Sequence, residues 1–141
     1  MFTQDRSQLR KIFFNAWNNF QKNLALTPMD EIIVKIIKLH PEYHDMLGHE
    51  NDFIDKDYLP ENGESNPFLH MAMHISIHEQ LSTKRPVQII QLYQQLLNKY
   101  NDQHIVEHHM MECLGQMIWN AQHNNELPDE SLYIDCLQKL V

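Results

Sequence analysis

Ten histidines stand in this chain of 141 residues, at positions 40, 44, 49, 70, 74, 78, 104, 108, 109 and 123. Five of them, with one glutamate, fall into two columns: His70, His74 and His78, then His104, His108 and Glu112. Each column repeats every fourth residue, so on an α-helix each step turns only about 40° and the three side chains share one face. A shuffled chain of this composition would contain His-x3-His-x3-His about 0.05 times. Imidazoles one helical turn apart have Cβ atoms about 5–6 Å apart and can both reach a cation about 2.0–2.1 Å from each nitrogen. His70 and His78, however, are separated by about 12 Å of helical rise, so one ion cannot take a whole column. Either one rung stands outside the coordination shell or two ions are held. Facing helices that present such pairs can surround a metal. A histidine-rich donor set with one carboxylate suits Fe, Zn, Mn or Ni and disfavours Mg and Ca.

The opposing interpretation is that the histidines form the wet stripe of otherwise apolar helices. Around the first column stand Phe68, Leu69, Met71, Ala72, Met73, Ile75, Ile77 and Leu81, apolar on nearly every face, which argues for burial. On the second helix Val106, Met110, Cys113, Leu114, Met117, Ile118 and Ala121 make the apolar sector, with His104, His108 and Glu112 on its shoulder. Other chemistry finds no support: the chain has no glycine-rich phosphate loop, no Gly-x-Ser-x-Gly elbow and no Cys-x-x-Cys-His haem attachment. A His44-Asp45 pair alone is weak grounds for a phosphohydrolase. Cys113 reads as a small buried residue and the eight methionines as core fillers; Phe13, Trp17, Phe20 and Trp119 read as packing residues.

The elements that must carry these columns are helices. Leu9, Ile12, Phe13, Ala16, Trp17, Phe20 and Leu24 recur at spacings of three and four, predicting an amphipathic helix over residues 7–23. Thr27-Pro28-Met29-Asp30 supplies a capping hydroxyl, a first-turn proline and an acid for a second helix. His40-Pro41 should end it, with one or two further turns closed by Gly48. Residues 49–65 are polar and interrupted, including Pro60 and Asn62, and predict a long loop with one turn inside. Asn66-Pro67 opens the helix of the first column, running to about Ser82. Pro86 opens another, ending near Tyr100; Asn101 or Asp102 caps the helix of the second column, to about Asn124; residues 128–140 supply a short last one. No strand pattern appears. The expectation is a single all-α domain over residues 1–141, a compact bundle of about four main helices with short helices and one long loop.

Charge bounds the partners. Eleven Lys and Arg against nineteen Asp and Glu give a net charge of −8, which repels phosphate backbones and anionic membranes; neither nucleic acid nor membrane is an expected partner. Two cysteines far apart form neither a disulfide framework nor a Cys-x-x-Cys motif, and no leader or long apolar run is seen, so the chain reads as cytoplasmic and reduced. An apolar bundle face shared by two copies would make a homodimer; no feature specifies a small-molecule or protein partner.

Three motifs carry a resemblance: His40-Pro41-Glu42-Tyr43-His44; Asn66-Pro67-Phe68-Leu69-His70 with His74 and Glu79-Gln80; and Glu107-His108 followed by Met111-Glu112-Cys113-Leu114-Gly115 and Trp119. Together they resemble the bacterial family catalogued as domain of unknown function 1841, over almost the whole chain. The resemblance implies a small α-helical cytosolic bacterial protein without an established activity. Its pattern includes His40, His44, His70, His74, Glu79, His108 and Glu112, and leaves out His78. Combined with the spacing, it points to His44, His70, His74, His108 and Glu112 as metal ligands, with His40 and His104 as further candidates. Glu79, about 140° round the helix from His74, is an orienting carboxylate rather than a ligand to the same ion. The expected function is a transition-metal site between helices, histidine-rich and assisted by a glutamate; the alternative is a metal-free interaction or structural module.

Overall fold

The computed structural model describes residues 2–59, 61 and 63–141, with the backbone alone for residues 2–5. Pro60 and Asn62, which the sequence places in the loop, lie outside the described residues. The elements are α1 (Phe2–Gln21), α2 (Pro28–Lys38), a 3-10 turn (Pro41–Tyr43), α3 (His44–Leu47), α4 (Glu50–Phe53), α5 (Pro67–Thr83), α6 (Ile89–Tyr100), α7 (Gln103–His123) and α8 (Glu130–Leu140). The fold is all-α, and no strand occurs among the described residues. No helix among them is long and apolar enough to cross a membrane.

Helix ends follow the local chemistry. The Asp30 amide donates to Thr27 Oγ1 while Asp30 returns a carboxylate oxygen to the Thr27 amide, a closed capping box with Pro28 in the first turn. Asn66 Oδ1 accepts from the amides of Phe68 and Leu69 at the start of α5. Asp102 and Asp129 cap α7 and α8. Asn101 ends α6 in the left-handed conformation, φ 57°, a geometry asparagine tolerates better than most residues.

Cα packing divides the chain into two compact units, residues 1–75 and 76–141, with the boundary inside α5. In the first unit, Phe13, Phe14, Ala16 and Trp17 of α1 join Ile33, Val34, Ile36 and Ile37 of α2, Met46 and Leu47 of α3, and Phe68 and Met71 of α5 in one apolar cluster. The buried face of α1 differs from the expected one. Leu9 and Ile12 are exposed, whereas Phe14 and Arg10 are buried, Arg10 to 3%. The helix is rotated because Arg10 has a partner that the period alone does not reveal. Its Nη1 donates to the carbonyls of Lys56 (2.7 Å), Ile54 (3.1 Å) and Phe53 (3.5 Å), and its guanidinium lies over the rings of Phe68 and Tyr58. This one side chain ties the end of α4 and the following loop to α1.

In the second unit, Ile77, Ile89, Leu92, Leu96, Val106, Met110, Leu114, Tyr133, Ile134 and Leu137 are buried. Tyr133 Oη donates to Gln80 Oε1 at 2.6 Å, and Lys99 Nζ donates to the Leu140 carbonyl. Two expectations are corrected here. Cys113 is buried, as read, but it is bonded to Cys136 in a disulfide. Residues 124–129 connect α7 to α8 and let the two helices pack, which brings thiols 23 positions apart to a Cα–Cα distance of 5.6 Å. The reduced state inferred from spacing alone therefore lacks its free thiols. Trp119 is not a packing residue: it is 59% exposed and stacks on His123.

Replacing Arg10 with Leu should cost about 1–3 kcal/mol, because the carbonyls it serves lose their donor. The measurement is the urea unfolding midpoint. An unchanged midpoint would mean that these carbonyls find other donors without loss.

Candidate metal centre

The first unit gathers three histidines around the end of α2. Pro41 forces the chain out of α2, and His40, at the junction, turns inward to 1% exposure. Its Nδ1 lies 2.8 Å from the Ile36 carbonyl oxygen. A carbonyl can only accept, so Nδ1 carries the proton and Nε2 presents a lone pair. That lone pair faces His74 Nδ1 at 3.4 Å, with the rings nearly perpendicular at 86°. His74, on the first-unit part of α5, has no exposed surface. His70, one turn earlier, sets its ring edge-on to His40 at 4.9 Å, and Tyr43 stacks on His40 at 5.4 Å while meeting the His70 ring at 6.0 Å.

The distance between the two nitrogens is informative. Nitrogen hydrogen bonds centre near 2.9–3.0 Å, so 3.4 Å is long for one. Two ligands of a tetrahedral ion at about 2.0–2.1 Å stand about 3.3–3.4 Å apart. The pair therefore has the separation of two nitrogens sharing a cation, and its tautomer is already set by a backbone carbonyl. His44 takes another part. Its Nε2–H donates to the Ile37 carbonyl at 2.9 Å, and its ring packs against Trp17. That bond closes the C-terminal end of α2.

The second unit holds an arrangement built on Glu107, which is 1% exposed. His78 Nε2 lies 2.7 Å from Glu107 Oε1, and Tyr93 Oη donates to Glu107 Oε2 at 2.9 Å. Burial, reinforced by the bond to Glu107, pushes the Tyr93 phenol well above its ordinary pKa; burial does the same for Tyr133. The rings of His104 and His108 meet at 4.0 Å, tilted by 54°, on one side of α7. Glu112 does not join that pair. Its carboxylate is exposed and lies 3.9 Å from His109 Nδ1.

The structure thus brings together His40, His70 and His74 in the first unit, and His104 and His108 in the second. His44 is tied to a carbonyl, and Glu112 faces His109. His40 with His74, and His78 with Glu107, are groups that could hold a metal ion. Glu107 and Tyr93 are the members of the second-unit arrangement that the columns do not reveal. Glu107 was legible in another way: with Met110, Met111 and Leu114 at i+3, i+4 and i+7, it is a carboxylate in the middle of an apolar stripe. Tyr93 lies beside Leu92 and Leu96 on α6 and announces nothing until its hydroxyl is placed.

A family model described as domain of unknown function (DUF1841) matches residues 5–139. No curated protein and no solved structure matches the chain.

The raised phenols give a pH dependence with a definite sign. Below pH about 10, Tyr93 and Tyr133 are protonated in both folded and unfolded chains, and their contribution is constant. Above it the unfolded chain loses these protons while the folded chain keeps them, so stability falls as pH rises. Replacing both with Phe should make the decline of unfolding free energy between pH 10 and 11.5 shallower than in the parent chain. Parallel curves would contradict the assignment.

Proposed function

We propose that this chain, which belongs to the DUF1841 family, binds a transition-metal ion through buried imidazoles centred on His40 and His74. The single observation that carries the proposal is the 3.4 Å approach of His40 Nε2 to His74 Nδ1, with the His40 proton already committed to Ile36. His70 stands beside the pair and is the next candidate ligand. His104, His108 and Glu112 remain candidates from their column spacing, and His44 from the motif at the helix junction. Imidazole donors favour Fe, Zn, Mn or Ni. A shell with fewer than four protein ligands leaves a position for water or a substrate oxygen, where an ion would act as a Lewis acid; this is the form in which the site would be catalytic.

A second reading, a metal-free interaction module, draws on the exposed Trp119 of α7 and the shallow groove beside it, lined by Glu112, Gly115, Gln116 and Asn120.

Metal analysis separates the two. Untagged protein exposed in turn to Zn(II), Fe(II), Mn(II) and Ni(II), then desalted, should retain at least one equivalent of one of them. His40→Ala and His74→Ala should each weaken that binding more than tenfold, and chelation should lower the melting temperature of the parent chain. Alanine variants at His70, His108 and Glu112 assign the remaining ligands. Protein that retains no metal, with a melting temperature unmoved by chelator, would favour the interaction module.

A further inference from the structure

We infer that His78 and Glu107, in the second unit, form a binding site for a second divalent transition-metal ion, with Tyr93 holding the carboxylate in position. The inference stands on different atoms from the His40–His74 pair and goes beyond it. Three lines of geometry support it.

A carboxylate 1% exposed is costly to bury as an anion unless positive charge or strong donors meet it. Here the two oxygens are divided between two partners, Oε1 towards His78 Nε2 at 2.7 Å and Oε2 towards Tyr93 Oη at 2.9 Å. An imidazole nitrogen and a carboxylate oxygen are thus side by side in a nearly dry setting. Neighbouring ligands in an octahedral shell with bonds of about 2.0–2.2 Å stand about 2.9 Å apart, so small movements would let both atoms accept one cation.

The tyrosine has a role that a purely structural pair would not need. Tyr93 Oη donates to Oε2 at 2.9 Å and leaves Oε1 as the oxygen turned to His78. A ligating carboxylate is oriented by such a donor on its second oxygen.

The spacing of α5 supplies the third line. The column from His70 to His78 rises about 12 Å, too far for one ion. His74 turns Nδ1 towards His40, whereas His78 turns Nε2 towards Glu107, so the two rungs present these nitrogens to different partners. On binding, the proton on His78 Nε2 passes to Nδ1 of the same ring, or to solvent where Nδ1 already carries a proton, and the neutral ring presents Nε2 to the cation beside Oε1. Nothing is oxidised or reduced.

The test counts ions. The full-length chain, stripped with chelator, is titrated with Zn(II) by calorimetry, and bound metal is measured by elemental analysis after desalting. The parent chain should saturate at two equivalents. Glu107→Gln, which keeps the shape and a hydrogen-bonding oxygen, should saturate at one, as should His78→Ala; His40→Ala should also retain one, at the His78–Glu107 site. Saturation of the parent chain at one equivalent, unaltered by Glu107→Gln, overturns the second ion and leaves the first intact. Two equivalents in both Glu107→Gln and His78→Ala overturn the residue assignment. No binding in the parent chain overturns both proposals together. Circular dichroism checks the fold of each variant. If Glu107→Gln does not fold, the parent stoichiometry and His78→Ala decide.

Discussion

A hydrogen bond from His40 to the carbonyl of Ile36 fixes the chemistry of the first unit. A buried imidazole with an uncommitted proton could present either a donor or a lone pair to its neighbour. By accepting the Nδ1–H, the Ile36 carbonyl removes that choice and makes Nε2 a base. The carbonyl is available because α2 ends there: Pro41 prevents the helix from continuing, so no later amide along the helix can claim the Ile36 oxygen alone. The Leu39 amide also reaches Ile36, and the oxygen serves both. The same helix end supplies the Ile37 carbonyl to His44. At this helix end each of the two carbonyls accepts a tightened backbone bond, from the Leu39 and His40 amides, and a histidine side chain as well.

The buried polar side chains obey a common rule. Arg10, His74 and Glu107 stand in apolar stretches of helix and His40 at the junction after α2, and each is met by a group of complementary character. Arg10 meets carbonyls, His40 a carbonyl and a second imidazole, Glu107 an imidazole and a phenol. Leaving any of these partners out would cost about 1–3 kcal/mol or more, a substantial part of the net stability of a chain of this size. Apolar side chains of like volume would pack at these positions without that liability. For Arg10 the polar group fastens the chain after α4 to α1; for His40, His74 and Glu107 the proposed ions would supply a reason for the polar group.

Much of the fold was legible because helix boundaries are local chemistry. Thr27-Pro28, Asn66-Pro67 and Asp102 act within three or four residues of themselves, and each starts a helix where the sequence says it should. Positions whose burial depends on distant groups were not legible. The α1 period favours Leu9 and Ile12, but the choice goes to Arg10 and Phe14, because carbonyls more than forty residues away supply acceptors. The disulfide is invisible for the same reason: two cysteines 23 positions apart meet only once α8 packs on α7. In the site, the spacing marks the helices and most of the imidazoles. It does not say which ring nitrogen faces which, and it puts weight on Glu112 because that residue completes a column. Glu107 breaks the column yet lies in the core.

This contrast between Glu112 and Glu107 bears on how a histidine column should be interpreted. A repeat of four drifts about 40° per step round a helix, so its rungs cannot all share one environment. On α5 the drift leaves His74 fully buried, with His70 and His78 partly exposed on either side. On α7 it carries Glu112 out to solvent while Glu107, in register with Met110 and Leu114, remains inside. A carboxylate in water gains little from a nearby cation, whereas one removed from water gains much more because the intervening medium screens less. The residue most able to hold a metal is therefore the one whose burial would otherwise be hardest to justify. Periodicity finds the helix that carries it, and the cost of burial identifies the residue.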